Sequence, residues 1–262
     1  MSKTGSVAEP TISHMENLDI SNIRTLLAVW AHPDDEAYLS AGLMLRVAEA
    51  GGRVVCLTAT KGEQGTDDPE RWPPPQLARH RTRELKAALS RLGVRETWMM
   101  DLPDGGCEDA PPEVPTAVIG AAIDTLRPDA IVTFGPDGIT GHPDHIAVGR
   151  WTTAAWSARR SSASLLYATM TPAFLRRHAR LHDRVGFFSM ARPRPALDTD
   201  RVFKVALNCR ELTRKRSALA AHASQTDPLA RQLGERAYTY WWRTEAFRLP
   251  RPTEVGMLEA AS

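Results

Sequence analysis

Two short stretches carry most of the reactive side chains of this 262-residue chain: HPDDE at residues 32–36 and GHPDH at residues 141–145. Carboxylates crowded this closely repel one another, and a divalent cation relieves that repulsion while selecting neutral imidazoles as ligands. His32, Asp35 and His145 supply two nitrogens and one carboxylate and leave a position for water, the pattern of a catalytic rather than a structural zinc site. The same donors serve non-haem iron oxygenases, so ligand type alone fixes neither the metal nor the reaction. Asp34, beside the ligands but not one of them, suits a base that takes a proton from metal-activated water. His142 suits a donor to a developing oxyanion or leaving group, and Asp144 a group that orients a ligand histidine. Pro33 fixes its own φ and keeps His32 extended, and Pro143 does the same for His142. Glu36 is expected to cap or begin the next helix, where the helix dipole favours a negative side chain.

Such residues need a scaffold that brings two distant loops together. TLLAVWA (25–31) is a short apolar run of the kind buried on both faces of a parallel sheet. After HPDDE, residues 37–50 carry a helical stripe through Leu39, Leu43 and Val47 that Gly51 and Gly52 stop, and RVVCLTAT (53–60) is a second buried strand. Strand, helix and strand in this order predict a right-handed βαβ unit. The alternation continues with a helix over 76–93, a strand over 95–102, a helix over 114–127 stopped by Pro128, and a strand over 129–134. Strands are further expected at 164–170 and 201–207, helices at 211–223 and around 229–242, and a Pro- and Arg-rich loop at 191–200. The fold class predicted is α/β: a Rossmann-like, doubly wound, mostly parallel sheet in a single domain, with ligands at the carboxyl ends of the strands. HPDDE follows the first strand, and the loop GPDGITGHPDH (135–145) follows the 129–134 strand, so both project from one sheet edge.

Composition narrows the function classes. Hydrophobic residues make up 42% and charged residues 24%, which suits a folded globular chain. Residues 1–22 read as a flexible polar leader, 23–250 as the domain and 251–262 as a C-terminal tail. Neither a signal peptide nor a membrane span is expected, and a cytoplasmic location follows. Three widely spaced cysteines give neither a disulfide framework nor a thiolate zinc site. A net charge of +2 argues against a nucleic-acid partner. Residues 171–220 are the local exception, with 12 Lys or Arg against 4 Asp or Glu: a solvated surface, or a region that attracts an anionic group. The aromatic run YTYWW (238–242) reads as core, with a self-association surface as the alternative; homo-oligomerisation is left open.

AHPDDE (31–36) and GHPDH (141–145) resemble the two signature motifs of the PIG-L/LmbE-like deacetylases, a family that includes the N-acetylglucosaminyl-inositol deacetylase and conjugate amidase of mycothiol metabolism and sugar deacetylases of antibiotic pathways. The resemblance extends over roughly residues 25–225, through KGEQGT (61–66), RTRELKAALSRLGV (81–94), LPDG (102–105) and AHASQTDP (221–228). It implies a zinc-dependent hydrolase, with iron as the alternative metal, that removes an N-acyl group, foremost N-acetyl, from a small-molecule amino sugar or its conjugate. The family's ligands fall on His32, Asp35 and His145, its base on Asp34 and its oxyanion-stabilising or acid histidine on His142. Its sugar-holding residues fall on Arg81 or Arg83 with Asp104. Where some family members carry a tyrosine two residues before the HPDH histidine, this chain has Thr140, so another donor or another substrate is expected. The basic region 171–220 then falls on the leaving-group side of the pocket.

Three competing readings stand beside this one. The first is an amidase that cleaves a larger thiol or glycoside conjugate at the same metal centre. The second is a nucleotide-binding Rossmann-like module, against which HPDDE places phosphate-repelling carboxylates where a Gly-rich turn is needed. The third is a silent regulatory protein.

Overall fold

The computed structural model describes residues 20–259 as one α/β domain. A turn of 3-10 helix at Ile20–Asn22 leads into β1 (Thr25–Trp30), so residues 1–19 of the expected leader lie outside the described residues. The elements that follow are α1 (Asp35–Leu39), α2 (Ala41–Glu49), β2 (Arg53–Thr60), α3 (Pro74–Arg91), β3 (Glu96–Leu102), α4 (Glu113–Leu126), β4 (Ala130–Phe134) and α5 (Pro143–Ala158). Then come β5 (Ser164–Ala168), α6 (Pro172–Val185), β6 (Val202–Ala206), α7 (Cys209–Leu219), α8 (Ala223–Leu233), α9 (Glu235–Trp241), β7 (Thr244–Arg248) and α10 (Pro252–Glu259). Among the described residues no helix is long and apolar enough to cross a membrane.

The seven strands are ordered β3-β2-β1-β4-β5-β7-β6, parallel from β3 through β5, with β7 antiparallel to both of its neighbours. Leu26 to Trp30 are completely buried, as a strand covered on both faces requires. The chain leaves β1 toward β2 on one side and β4 toward β5 on the other, so the strand order reverses between β1 and β4. Their register (Leu26↔Ala130 to Ala28↔Val132) sets the two carboxyl ends side by side. Loops diverging there leave a crevice, the usual ligand position in open α/β sheets.

Several boundaries differ from the sequence-based expectation for identifiable reasons. The single helix expected over 37–50 is two helices broken at Ser40 (φ −142°). A buried Glu245 carboxylate accepts from the free amides of Gly42 (2.7 Å) and Leu43 (3.1 Å), giving α2 its own N-terminus. Gly42 is needed there, since a Cβ would collide with Leu207 and press on Glu245. The loop expected to run to residue 145 ends sooner, because Pro143 begins α5. The helix expected around 229–242 is divided at Gly234, whose φ of 80° suits glycine. The tail expected at 251–262 contains α10, which packs on α5 and ties back through a bidentate pair from Arg248 to Glu254 (2.8 and 2.7 Å). Of YTYWW, Tyr238, Trp241 and Trp242 are buried and Tyr240 is half exposed.

Glu245 also pairs with Lys215 at 2.7 Å, both side chains 1% exposed. Removing one partner strands the other charge in the interior, so Glu245→Ala is expected to cost about 3–5 kcal/mol. Urea denaturation checks this; a loss below about 1 kcal/mol would place the pair's role elsewhere.

Candidate active site

The crevice over β1 and β4 is a cleft of about 340 Å³. His32, Asp34, Asp35, Asp104, Thr140, His142, His145 and Arg81 all line it. Asp144 is completely buried behind it, and Arg83 is exposed on α3 and does not line it.

The inner shell is tight. His32 Nδ1 lies 3.2 Å from His145 Nε2, and Asp35 oxygens lie 3.7 Å from the former and 3.5 Å from the latter. The outer nitrogen of each ring has a definite partner. His145 Nδ1 faces the Gly138 carbonyl at 3.0 Å; a carbonyl only accepts, so the ring's proton sits on Nδ1. His32 Nε2 faces Asp104 at 3.0 Å and Asp144 at 3.1 Å, which places its proton on Nε2. In the neutral form of both rings the inward nitrogens present lone pairs to each other and to a carboxylate.

Such an arrangement calls for positive charge at its centre. Burial opposes a charge on His32, yet hydrogen bonds to Asp104 and Asp144 and the charge of Asp35 outweigh it and raise its pKa to about 10. Burial, followed by the charge of His32, pushes His145 well down. Two imidazoles with fixed outer partners and one carboxylate, a few ångströms apart, fit a metal ion. Two further groupings are geometrically able to hold an ion: His32 with His142 and His145, and His32 with Asp104 and Asp144. The second would deprive His32 of its outer partners, whereas both carboxylates already serve as anchored acceptors. Asp144 takes the amides of Gly105 (2.8 Å) and Cys107 (3.0 Å), and Asp104 takes that of Gln64 (2.7 Å).

Asp34 sits at the N-cap of α1 with φ 124°, a conformation that costs a non-glycine residue about 1–3 kcal/mol. Three contacts hold it there. Its amide donates to Glu36 at 2.9 Å, and the 3%-exposed Arg81 donates to the carbonyls of Pro33 and Gly62, each at 2.6 Å. The Arg81 guanidinium also lies 3.4 Å from the Asp34 carboxylate. Burial, opposed chiefly by Arg81, raises the Asp34 pKa to about 6. Glu36 is more than a helix-starting charge: it is completely buried, with its second oxygen 2.7 Å from His222 Nε2.

His142 is the N-cap of α5, and its Nδ1 accepts from the Asp144 amide at 3.2 Å. A neutral ring bonded in this way carries its proton on Nε2 and is a donor; burial, then the charge of His32, holds the pKa down. Thr140 Oγ1 lies 3.5 Å from His145 Nδ1. Arg81 thus sits beneath the strained turn with its guanidinium bonded to the chain itself.

Several cleft residues carried no clear sequence signal. Tyr38, Gln64, Gln225, Phe187 and Trp242 also line the cleft, and the Tyr38 and Tyr238 hydroxyls are 2.8 Å apart. Gln225 belongs to the AHASQTDP segment and His222 precedes it by one turn of chain, so the segment's resemblance was the available clue.

The sequence pattern of the PIG-L family, described as GlcNAc-PI de-N-acetylase, matches residues 27–156. A 1D-myo-inositol 2-acetamido-2-deoxy-alpha-D-glucopyranoside deacetylase from Kineococcus radiotolerans is 37% identical over 55% of this chain, but the match spans only 47% of that relative, about half its length. The protein of the same name from Nakamurella multipartita is 35% identical over 246 residues, covering 78% of this chain and 80% of the relative. N,N'-diacetylchitobiose deacetylase from Pyrococcus horikoshii superposes with a TM-score of 0.63 over 88% of this chain and 85% of its own, at 18% identity, a likeness of fold. With its two signature loops meeting at the sheet's switch point and the Nakamurella relative matched over 80% of its length at 35% identity, the chain belongs to the PIG-L family.

Proposed function

We propose that the protein is a metal-dependent N-deacetylase of an N-acetylglucosamine-containing small molecule. The observation that carries this reading is the convergence of His32, Asp35 and His145 around inward lone pairs, with Asp34 and His142 on the same cleft. The relatives' names supply the substrate class.

His32, Asp35 and His145 would hold the ion, and zinc suits two imidazoles and a carboxylate. Bound there, the ion supplies Lewis acidity toward a water and an acyl carbonyl. Asp34, raised toward neutrality by burial and not itself a ligand, takes the water's proton. His142 Nε2–H donates to the oxyanion that develops on the carbonyl, and the departing amine takes its proton from Asp34. Asp104 and Asp144 hold His32 in the tautomer that leaves Nδ1 free. Thr140 is too short to replace a phenol and stands beside His145. Arg81 acts first on the turn that carries Asp34; Asp104, Gln64 and Gln225 are polar groups of the cleft that a sugar would meet.

The direct test is release of free amine from 1D-myo-inositol N-acetylglucosaminide and smaller N-acetylglucosamine derivatives, before and after chelation. Activity lost to chelator and restored by zinc supports the reading; a metal-loaded protein that hydrolyses none of them overturns it. Asp34→Asn is expected to lower kcat by about 10²–10⁴-fold with zinc content unchanged, because it removes the base and spares the ligands. Asp144→Asn is expected to weaken zinc binding by about 10–100-fold, measured by competition with a chromogenic chelator, because His32 loses an outer acceptor.

A further inference from the structure

The basic run 171–220 is only partly explained by local pairing. Lys215 pairs with Glu245, Arg210 with Glu49 and Arg216 with Glu235, while Arg184 and Arg214 donate to carbonyls. Among the described residues Arg177 on α6 and Lys204 on β6 have no such partner. Together with Arg243 they line a second cavity of about 290 Å³. Among the described residues no carboxylate lies within ion-pair distance of these three cations. The one acidic side chain in the lining, Glu245, is already committed to Lys215 and to the α2 amides. His178 stays neutral beside them, since burial and then Arg177 hold its pKa down.

The remaining wall is largely apolar, with Leu39, Met170, Phe174, Trp241 and Trp242 in its lining. Tyr38, Leu39 and Trp242 line both this cavity and the catalytic cleft, so the two spaces share one wall.

We propose that this second cavity is the subsite for an anionic, ring-bearing aglycone: a carboxylate or phosphate on a flat apolar group attached to the sugar. The proposal rests on the deacetylase reading for its sugar and goes beyond it in assigning charge to the leaving amine's distal end. With the acetamide at His32, Asp35 and His145, the aglycone runs along Tyr38 and Leu39, its ring lies against Phe174, and its anion meets Arg177, Lys204 and Arg243. Exposed cations attract such a group modestly each and usefully together.

The test compares phenyl and 4-carboxyphenyl N-acetylglucosaminides as substrates of the zinc-loaded full chain. The wild type is expected to favour the carboxylate by about tenfold in kcat/KM, mainly through KM, and the double variant Arg177→Ala, Lys204→Ala to bring that ratio to about one. Lys204→Arg is expected to retain it. No preference in the wild type, or one that survives the double variant, overturns the proposal. Calorimetric titration with phenyl phosphate gives a readout independent of turnover: the double variant should bind about fivefold more weakly than the wild type, and equal binding overturns the subsite. If neither glycoside is hydrolysed, the deacetylase reading fails, while the phenyl phosphate titration still decides whether the cavity binds anions.

Discussion

The site depends on two imidazole lone pairs and a carboxylate facing one another across less than 4 Å, at 3.2, 3.5 and 3.7 Å. That arrangement is repulsive unless positive charge sits at its centre, and the surrounding structure prevents it from relaxing. The Gly138 carbonyl fixes one ring, and Asp104 with Asp144 fixes the other. Those carboxylates are in turn held by backbone amides after β2 and β3, so the tautomers of His32 and His145 are set by the loops after β2, β3 and β4. A parallel sheet whose order reverses between β1 and β4 is what brings these loops together.

Asp34, the proposed base, is positioned by a separate network. Asp34 has a positive φ, and Arg81, Glu36 and His222 offset its strain from α3, α1 and the turn before α8. Arg81 lies close enough to restrain the carboxylate's pKa yet leaves it near neutrality, a balance suited to proton transfer. The proposed ligands His32 and Asp35 and the proposed base Asp34 therefore share one five-residue stretch, HPDDE, while His145 comes from GHPDH, and ligands and base are supported by different parts of the fold.

Much of this was legible in the sequence because it is local. Buried parallel strands read as apolar runs, and β2 falls on the expected residues 53–60. The two His-Pro-Asp loops were placed at one edge by counting strands, and the structure does bring His32, Asp35 and His145 together there. What the sequence hid is long-range. Glu245 breaking a helix at Ser40 joins residues about 200 apart in the chain, and no periodicity reveals it. Arg81 and Arg83 look alike on the page, and the helical turn alone sends one beneath the active-site turn and the other to solvent. The antiparallel β7 and the helix α6 gave weak local patterns, and they wall the second cavity.

The central claim, that His32, Asp35 and His145 form a single metal centre, is tested most directly by X-ray absorption at the zinc edge of the loaded protein. The account predicts about one zinc per chain with two imidazole nitrogens and otherwise oxygen in its shell, and one imidazole fewer in His145→Ala. Failure to bind zinc stoichiometrically, or a shell that His145→Ala leaves unchanged, would contradict it.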